Sequence, residues 1–205
     1  MTGLAANSDL QGAFARHGSL EKLMDVFVKH QERVVRAVCD RFGRDLCFIS
    51  VRDDALIRAD VVAEDNLFQN VLIPRLKRMI TPAREHGLPV ALDMHTRAAS
   101  LEQALPELYR AGINIIQFTN SDIGTLERLA QAWSGKVVFM GGLPVSRLGQ
   151  LPRAEIDQKI RKYCQKFSGL AGFVFSPDAL ITSSDNFPPQ HFTGMLHSIQ
   201  LYGKY

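Results

Sequence analysis

The sequence predicts an α/β fold with a parallel sheet, on three observations. Five short apolar runs alternate with patterns of helical period along 205 residues. The runs are apolar on both faces, as strands buried by flanking helices are. The clearest of them, Pro89-Val90-Ala91-Leu92-Asp93-Met94-His95-Thr96-Arg97, ends abruptly in Asp, His and Arg. That is the appearance of a buried strand whose polar side chains emerge at its carboxyl end, where α/β proteins keep their chemistry.

Residues 1 to 18 hold Gly3, Asn7, Gly12 and Gly18 without a sustained period and predict a loosely ordered start, leaving 19–205 as a single α/β domain. From Ser19 to about Arg41, Leu20, Leu23, Met24, Phe27, Val28, Val34, Val35 and Val38 recur at helical spacing, which predicts a long amphipathic helix. Gly43 ends it. Leu46 to Val51 is a short buried strand that exits into Arg52-Asp53-Asp54. Residues 66 to 86 predict a second helix, kinked or broken at Pro74.

After the His95 strand, Ser100-Leu101-Glu102-Gln103 is a capping-box pattern opening a helix with Leu101, Leu105 and Leu108 on one face. Gly112 closes that helix, and the strand Ile113 to Phe118 completes a βαβ unit that ends in Thr119 and Asn120. A helix from about Asp122 to Trp133, a strand Val137 to Met140 ending in Gly141-Gly142, and a helix from Pro152 to Phe167 follow. The last strand, Phe173 to Phe175, exits into Ser176-Pro177-Asp178. A polar loop, Thr182 to Pro189, then leads to a final helix with Phe192, Met195, Leu196 and Ile199 on its apolar stripe.

Composition narrows the function. Apolar residues make up 46% and charged residues 22%, with a formal charge of +3, too small and too scattered to indicate nucleic acid. No apolar run reaches the length of a membrane span and no basic-then-apolar signal opens the chain, so a cytoplasmic location is expected. Cys39, Cys47 and Cys164 show no CxxC spacing, which argues against a disulfide framework and favours core or surface thiols.

The candidate site residues all follow strands. His95 is suited to act as a metal ligand or a general acid/base, against the simpler role of a hydrogen-bonded rim histidine. Asp53 and Asp54 are adjacent carboxylates, either a ligand site or a cap for the next turn, and since neighbours in an extended chain face opposite ways Asp54 is taken as the one entering the pocket. Arg97 has a planar fork for a carboxylate or phosphate, or pairs with Asp93 or solvent. Asn120 lies on the same expected rim. Asp178 is a pocket acid or a turn residue after Pro177. His17, His30, His86, His191 and His197 fall on helix or loop surfaces and read as ordinary.

Taken in order, Asp53-Asp54, the Pro74 helix, His86-Gly87-Leu88-Pro89-Val90, the Leu105 to Gly112 segment, Gly141-Gly142-Leu143-Pro144 and the stretch from Phe173 to Phe192 resemble the carboxyl-terminal part of the uroporphyrinogen decarboxylase superfamily, which includes corrinoid-linked methyltransferases. The resemblance implies a partial or rearranged (β/α) TIM-like barrel of about five parallel βα units. It also implies two open sheet edges, to be covered by the 19–41 helix, a second chain or a complementary half, and hence association.

Three functions follow from the resemblance. The first is a decarboxylase-like lyase acting on a tetrapyrrole-like or carboxylate-bearing substrate, with Asp54 and His95 polarising it and Arg97, Asn120 and Asp178 binding it. The second is a methyltransferase acting with a corrinoid protein. The third is a non-catalytic subunit or half of a split barrel. The methyltransferases of the superfamily use zinc held by His-x-Cys and a further cysteine; here those positions read His95-Thr96-Arg97 and Asp178. A weaker nitrogen and oxygen site at His95 and Asp178 is the zinc alternative that the resemblance leaves.

Overall fold

A computed structural model describes residues 18–52, 66–94, 98–118, 123–177 and 187–203. Five parallel strands alternate with helices, as the sequence predicts. The chain divides into two compact units, Met1–Ile116 and Gln117–Tyr205.

The first unit opens with helix α1, Gly18–Phe42, followed by one 3-10 turn, Gly43–Asp45, and strand β1, Ile49–Arg52. Val28 and Cys39 of α1 are buried and the helix packs against α2, Ile73–Glu85. The apolar arc of α1 is wider than that contact, so Leu23, Phe27 and Val34 stay about 40% exposed although the periodicity assigns them to the stripe. A π-helical stretch, Asn66–Leu72, precedes α2. That stretch runs directly into α2, with Leu72 between them in the right-handed helical conformation, so the winding changes where Pro74 enters and the proline sits in the first α-helical turn. Ile73, Leu76, Met79, Ile80 and Ala83 form the buried face of α2.

Strand β2, Val90–Met94, runs parallel to β1 with Ile49 opposite Val90 and Arg52 opposite Asp93. Val90, Ala91 and Leu92 are fully buried, which explains a run without polar alternation. Helix α3, Ala98–Ala111, starts two residues before Ser100, so Ser100 is inside the helix and is not its cap. Ala98 and Ala99 are strong helix formers and extend it towards the amino end. Gly112 ends α3 at φ +110°, with Arg84 Cδ 2.7 Å from where a Cβ would stand, so only glycine fits. The chain then enters β3, Ile115–Phe118, whose register beside β2 is fixed by Asn114: its N–H donates to Val90 O at 3.0 Å, and its side-chain oxygen accepts from Val90 N–H at 3.4 Å.

The second unit holds α4, Ile123–Ala132, and strand β4, Val138–Leu143. The sequence reading ends this strand at Gly141-Gly142, but the strand continues to Leu143 and pairs in parallel with β5, Phe173–Pro177. The glycines serve close approach there, since a Cβ on Gly142, at φ +83°, would lie 3.1 Å from the Phe173 ring. After β4 come a short helix α5, Val145–Leu148, and then α6, Arg153–Phe167. Phe167 stacks on Phe173 with ring centroids 3.9 Å apart, and Phe175 meets both edge-on.

Helix α7, Pro189–Tyr202, packs on α6. Leu143, Leu148, Ile156, Ile160, Cys164, Phe187 and Met195 form the core beneath it. The stripe expected for α7 is only partly inward, because Met195 is buried while Phe192 and Leu196 are about 40% exposed.

Candidate functional site

Within each unit the parallel strands bring their carboxyl ends to one edge, and at that edge a parallel sheet meets its ligands. Asp54, His95, Arg97, Asn120 and Asp178 lie outside the described residues. Their places in the chain relative to the strands are fixed nonetheless. Asp54 comes two residues after Arg52, and His95 two residues after Asp93, the register partner of Arg52. Asn120 comes two residues after the end of β3, and Asp178 directly after the end of β5.

The described part of the first unit's carboxyl edge contains Asp93, which the sequence offers only as a partner for Arg97. Asp93 is half-buried, and its Oδ1 is shut off from solvent with no hydrogen-bond partner among the described residues. A buried acceptor left unpaired costs about 1–3 kcal/mol, and more when charged. Its signal in the sequence was the one carboxylate inside the run Val90-Ala91-Leu92-Asp93-Met94.

Away from that edge, Arg75 is the other polar side chain among the described residues of this unit with a buried atom that makes no hydrogen bond to them. Its Nε lies 3.0 Å from Asp25 Oδ1, close enough for an ion pair but without hydrogen-bond alignment, while its Nη1 donates to Val71 O at 2.9 Å. These partners join α1, α2 and the π-helical stretch, and the role is structural.

In the second unit, Arg153, Ala154, Asp157, Gly194, His197 and Ser198 line a groove of about 460 Å³ between α6 and α7. Ser198 Oγ donates to Asp157 Oδ1 at 2.7 Å, and Tyr202 OH to Asp157 Oδ2 at 3.1 Å. The Ser198 hydrogen bond, helped by that of Tyr202, holds the Asp157 carboxyl below the usual carboxylate range. In turn the bond to Asp157 pushes the Tyr202 hydroxyl up. This triad fastens two helices. His191 departs from the ordinary surface role expected of it, being half-buried and edge-on to Phe187 with Nδ1 buried and without a hydrogen-bond partner among the described residues.

The cysteines do not fit a thiolate zinc centre. Cys39 is buried in α1 and Cys164 in α6, and burial pushes both thiols up, favouring the protonated form over the thiolate that zinc requires. Cys47 is exposed but precedes β1, at the amino end of the strand. Among the described residues no group of His, Cys, Asp and Glu is arranged to hold a metal ion, and no helix is long and apolar enough to cross a membrane.

No protein-family model matches the sequence, and no curated protein does. Solved structures do match. A methyltransferase from Methanosarcina mazei superposes with a TM-score of 0.65 at 12% identity, over 90% of this chain and 50% of its own. A B12-independent methionine synthase from Shewanella sp. W3-18-1, in complex with selenomethionine, superposes with a TM-score of 0.57 at 18% identity, over 92% of this chain and 55% of its own. The chain therefore shares the TIM-barrel-like fold of these proteins and spans about half of their length.

Proposed function

We propose that the chain is part of a methyltransferase-type (β/α) barrel enzyme that binds a carboxylate-bearing small molecule at the carboxyl ends of its strands. The observation that carries this reading is the likeness to the methyltransferase from Methanosarcina mazei over 90% of the chain. In this reading Arg97 binds the carboxylate through its planar fork, and His95 and Asp54 polarise the reacting group. The partner is a corrinoid protein that supplies or accepts the methyl group. Thiolate zinc has no part in the reading, because the cysteine positions do not fit it.

The test uses methylcobalamin as methyl donor and 3-mercaptopropionate, a thiol carrying a carboxylate, as acceptor. Transfer breaks the Co–CH3 bond, leaves the electron pair on cobalt as cob(I)alamin, forms the S–CH3 bond and releases the thiol proton. The expected result is protein-dependent loss of the methylcobalamin absorption that falls at least tenfold in His95→Ala. Turnover no faster than in buffer, with no binding of the thiol by calorimetry, overturns the proposal. Release of carbon dioxide from added uroporphyrinogen without methyl transfer overturns it in favour of the lyase. Elemental analysis of wild type and His95→Ala reads out metal held by that histidine.

A further inference from the structure

Helix α1 has two apolar sides, and α2 covers one of them. Val28 and Cys39 are buried there, and the four acids of α1 turn the same way: Glu21 lies 3.7 Å and Asp25 3.0 Å from Arg75, Glu32 2.8 Å from Arg78, and Asp40 3.1 Å from His86. On the other side Leu23, Phe27 and Val34 are about 40% exposed and Val26 is 65% exposed. Spaced by three, four and seven residues, they form one continuous stripe along the helix. Five of the ten large apolar residues exposed among the described ones, these four and Phe42, belong to α1. Single exposed apolar residues are ordinary on a protein surface, whereas a contiguous stripe marks a place where something docks.

We infer that this stripe seats a helix of the polypeptide that supplies the remaining βα units of the barrel, and that the seated helix carries an apolar stripe edged by Asp or Glu. The source of the helix rests on the proposed barrel. Helices of such a barrel form an outer ring, so each has a helix on either side; α2 is one neighbour of α1, and the stripe faces away from it. The chain spans 50% of the methyltransferase from Methanosarcina mazei, which leaves polypeptide for the second neighbour. Charge selects its chemistry. Lys22, Lys29 and Arg33 stand exposed along one edge of the stripe, while Met24, Gln31 and Val38 on the other edge are uncharged and the acids of α1 are engaged with α2. A second copy would bring the same basic edge and no acid. A bilayer takes helices whose apolar side chains project into it, but Leu23, Phe27 and Val34 are more than half covered, the depth of ridges that meet the grooves of another helix.

The test titrates the 205-residue chain into two labelled synthetic amphipathic helices, alike in a leucine stripe and edged by glutamate in one and by lysine in the other, and follows fluorescence anisotropy. The glutamate-edged helix is expected to bind at least about tenfold tighter, with the preference fading in about 1 M salt. Lys29→Glu combined with Arg33→Glu should reverse the preference. Val26→Gln removes apolar surface at the most exposed position of the stripe and should weaken binding about fivefold at an unchanged melting temperature.

Equal affinity for the two helices, or binding of neither, would overturn the inference, as would a preference that survives the double charge reversal. A wild-type dimer in sedimentation that Val26→Gln dissociates would overturn it in favour of a second copy. Co-sedimentation with phosphatidylcholine vesicles containing phosphatidylserine, undiminished by the glutamate-edged helix, would overturn it in favour of a membrane surface. Failure of 3-mercaptopropionate to bind, with discrimination between the helices intact, would count against the proposed function and leave the docking stripe standing.

Discussion

The helix pair of the first unit and the helix pair of the second are joined by different physics. Helices α1 and α2 are bridged by Arg36–Glu85 at 2.9 Å, Arg78–Glu32 at 2.8 Å and His86–Asp40 at 3.1 Å, with much of the apolar arc of α1 left in solvent. Helices α6 and α7 bury Ile156, Ile160, Cys164 and Met195 in one core and add the Asp157 hydrogen bonds at its edge. Exposed ion pairs contribute little and are screened by salt, whereas buried apolar area is indifferent to salt. The first contact should therefore be loose and ionic-strength dependent, and the second firm.

The largest effect should come from the second unit, where α6 also packs on β5. Phe167→Ala removes a fully buried ring stacked on Phe173 and is expected to cost about 3–5 kcal/mol in urea unfolding, with little dependence on salt. Ser198→Ala should cost less and show itself through pH. The depressed folded value of Asp157 means that its contribution is fully present above the ordinary carboxylate range, near pH 4, and is lost as pH falls through that depressed value. Tyr202 has the opposite sign: its raised value gives stability present below about pH 10 and lost as pH rises through it. Ser198→Ala should flatten the acid limb of the stability profile and leave most of the alkaline limb.

The first pair should yield the smallest effects. Glu32→Ala, which breaks the Arg78 ion pair, is expected to cost less than about 1 kcal/mol in dilute buffer and almost nothing in 1 M salt. The buried thiols report the contrast in one experiment, since Cys39 lies in α1 and Cys164 in α6. With a thiol-reactive probe, exposed Cys47 should label first, and rising salt should speed Cys39 labelling more than Cys164 labelling. Equal acceleration of both would remove the distinction between the two regions.

Much of the scaffold could be read from the sequence because periodicity reports burial directly. The five strands and the long helices lie within a few residues of where the apolar runs put them. The differences have local causes. Gly141-Gly142 has the composition of a turn, but the pair continues β4 because the Phe173 ring requires room that only a neighbouring contact reveals. Ser100 satisfies a capping pattern, yet Ala98 and Ala99 carry the helix past it. Leu23 and Phe27 have core periodicity on a helix whose neighbour covers only part of the arc.

The candidate site was less legible. Asp54, His95, Arg97, Asn120 and Asp178 were selected as polar residues beyond strand ends, and their order along the chain says nothing of which side chains converge. Asp93 was legible only as an anomaly, a carboxylate within an apolar run, because a missing hydrogen bond is a three-dimensional fact.

The central claim is that the carboxyl ends of the strands bind a carboxylate-bearing molecule through Arg97. It is tested most directly by calorimetric titration of wild type and Arg97→Ala with 3-mercaptopropionate at matched ionic strength. Tight binding by wild type, weakened at least tenfold in a variant that melts normally, is the predicted result. Equal affinity in both proteins, or none in wild type, would contradict it.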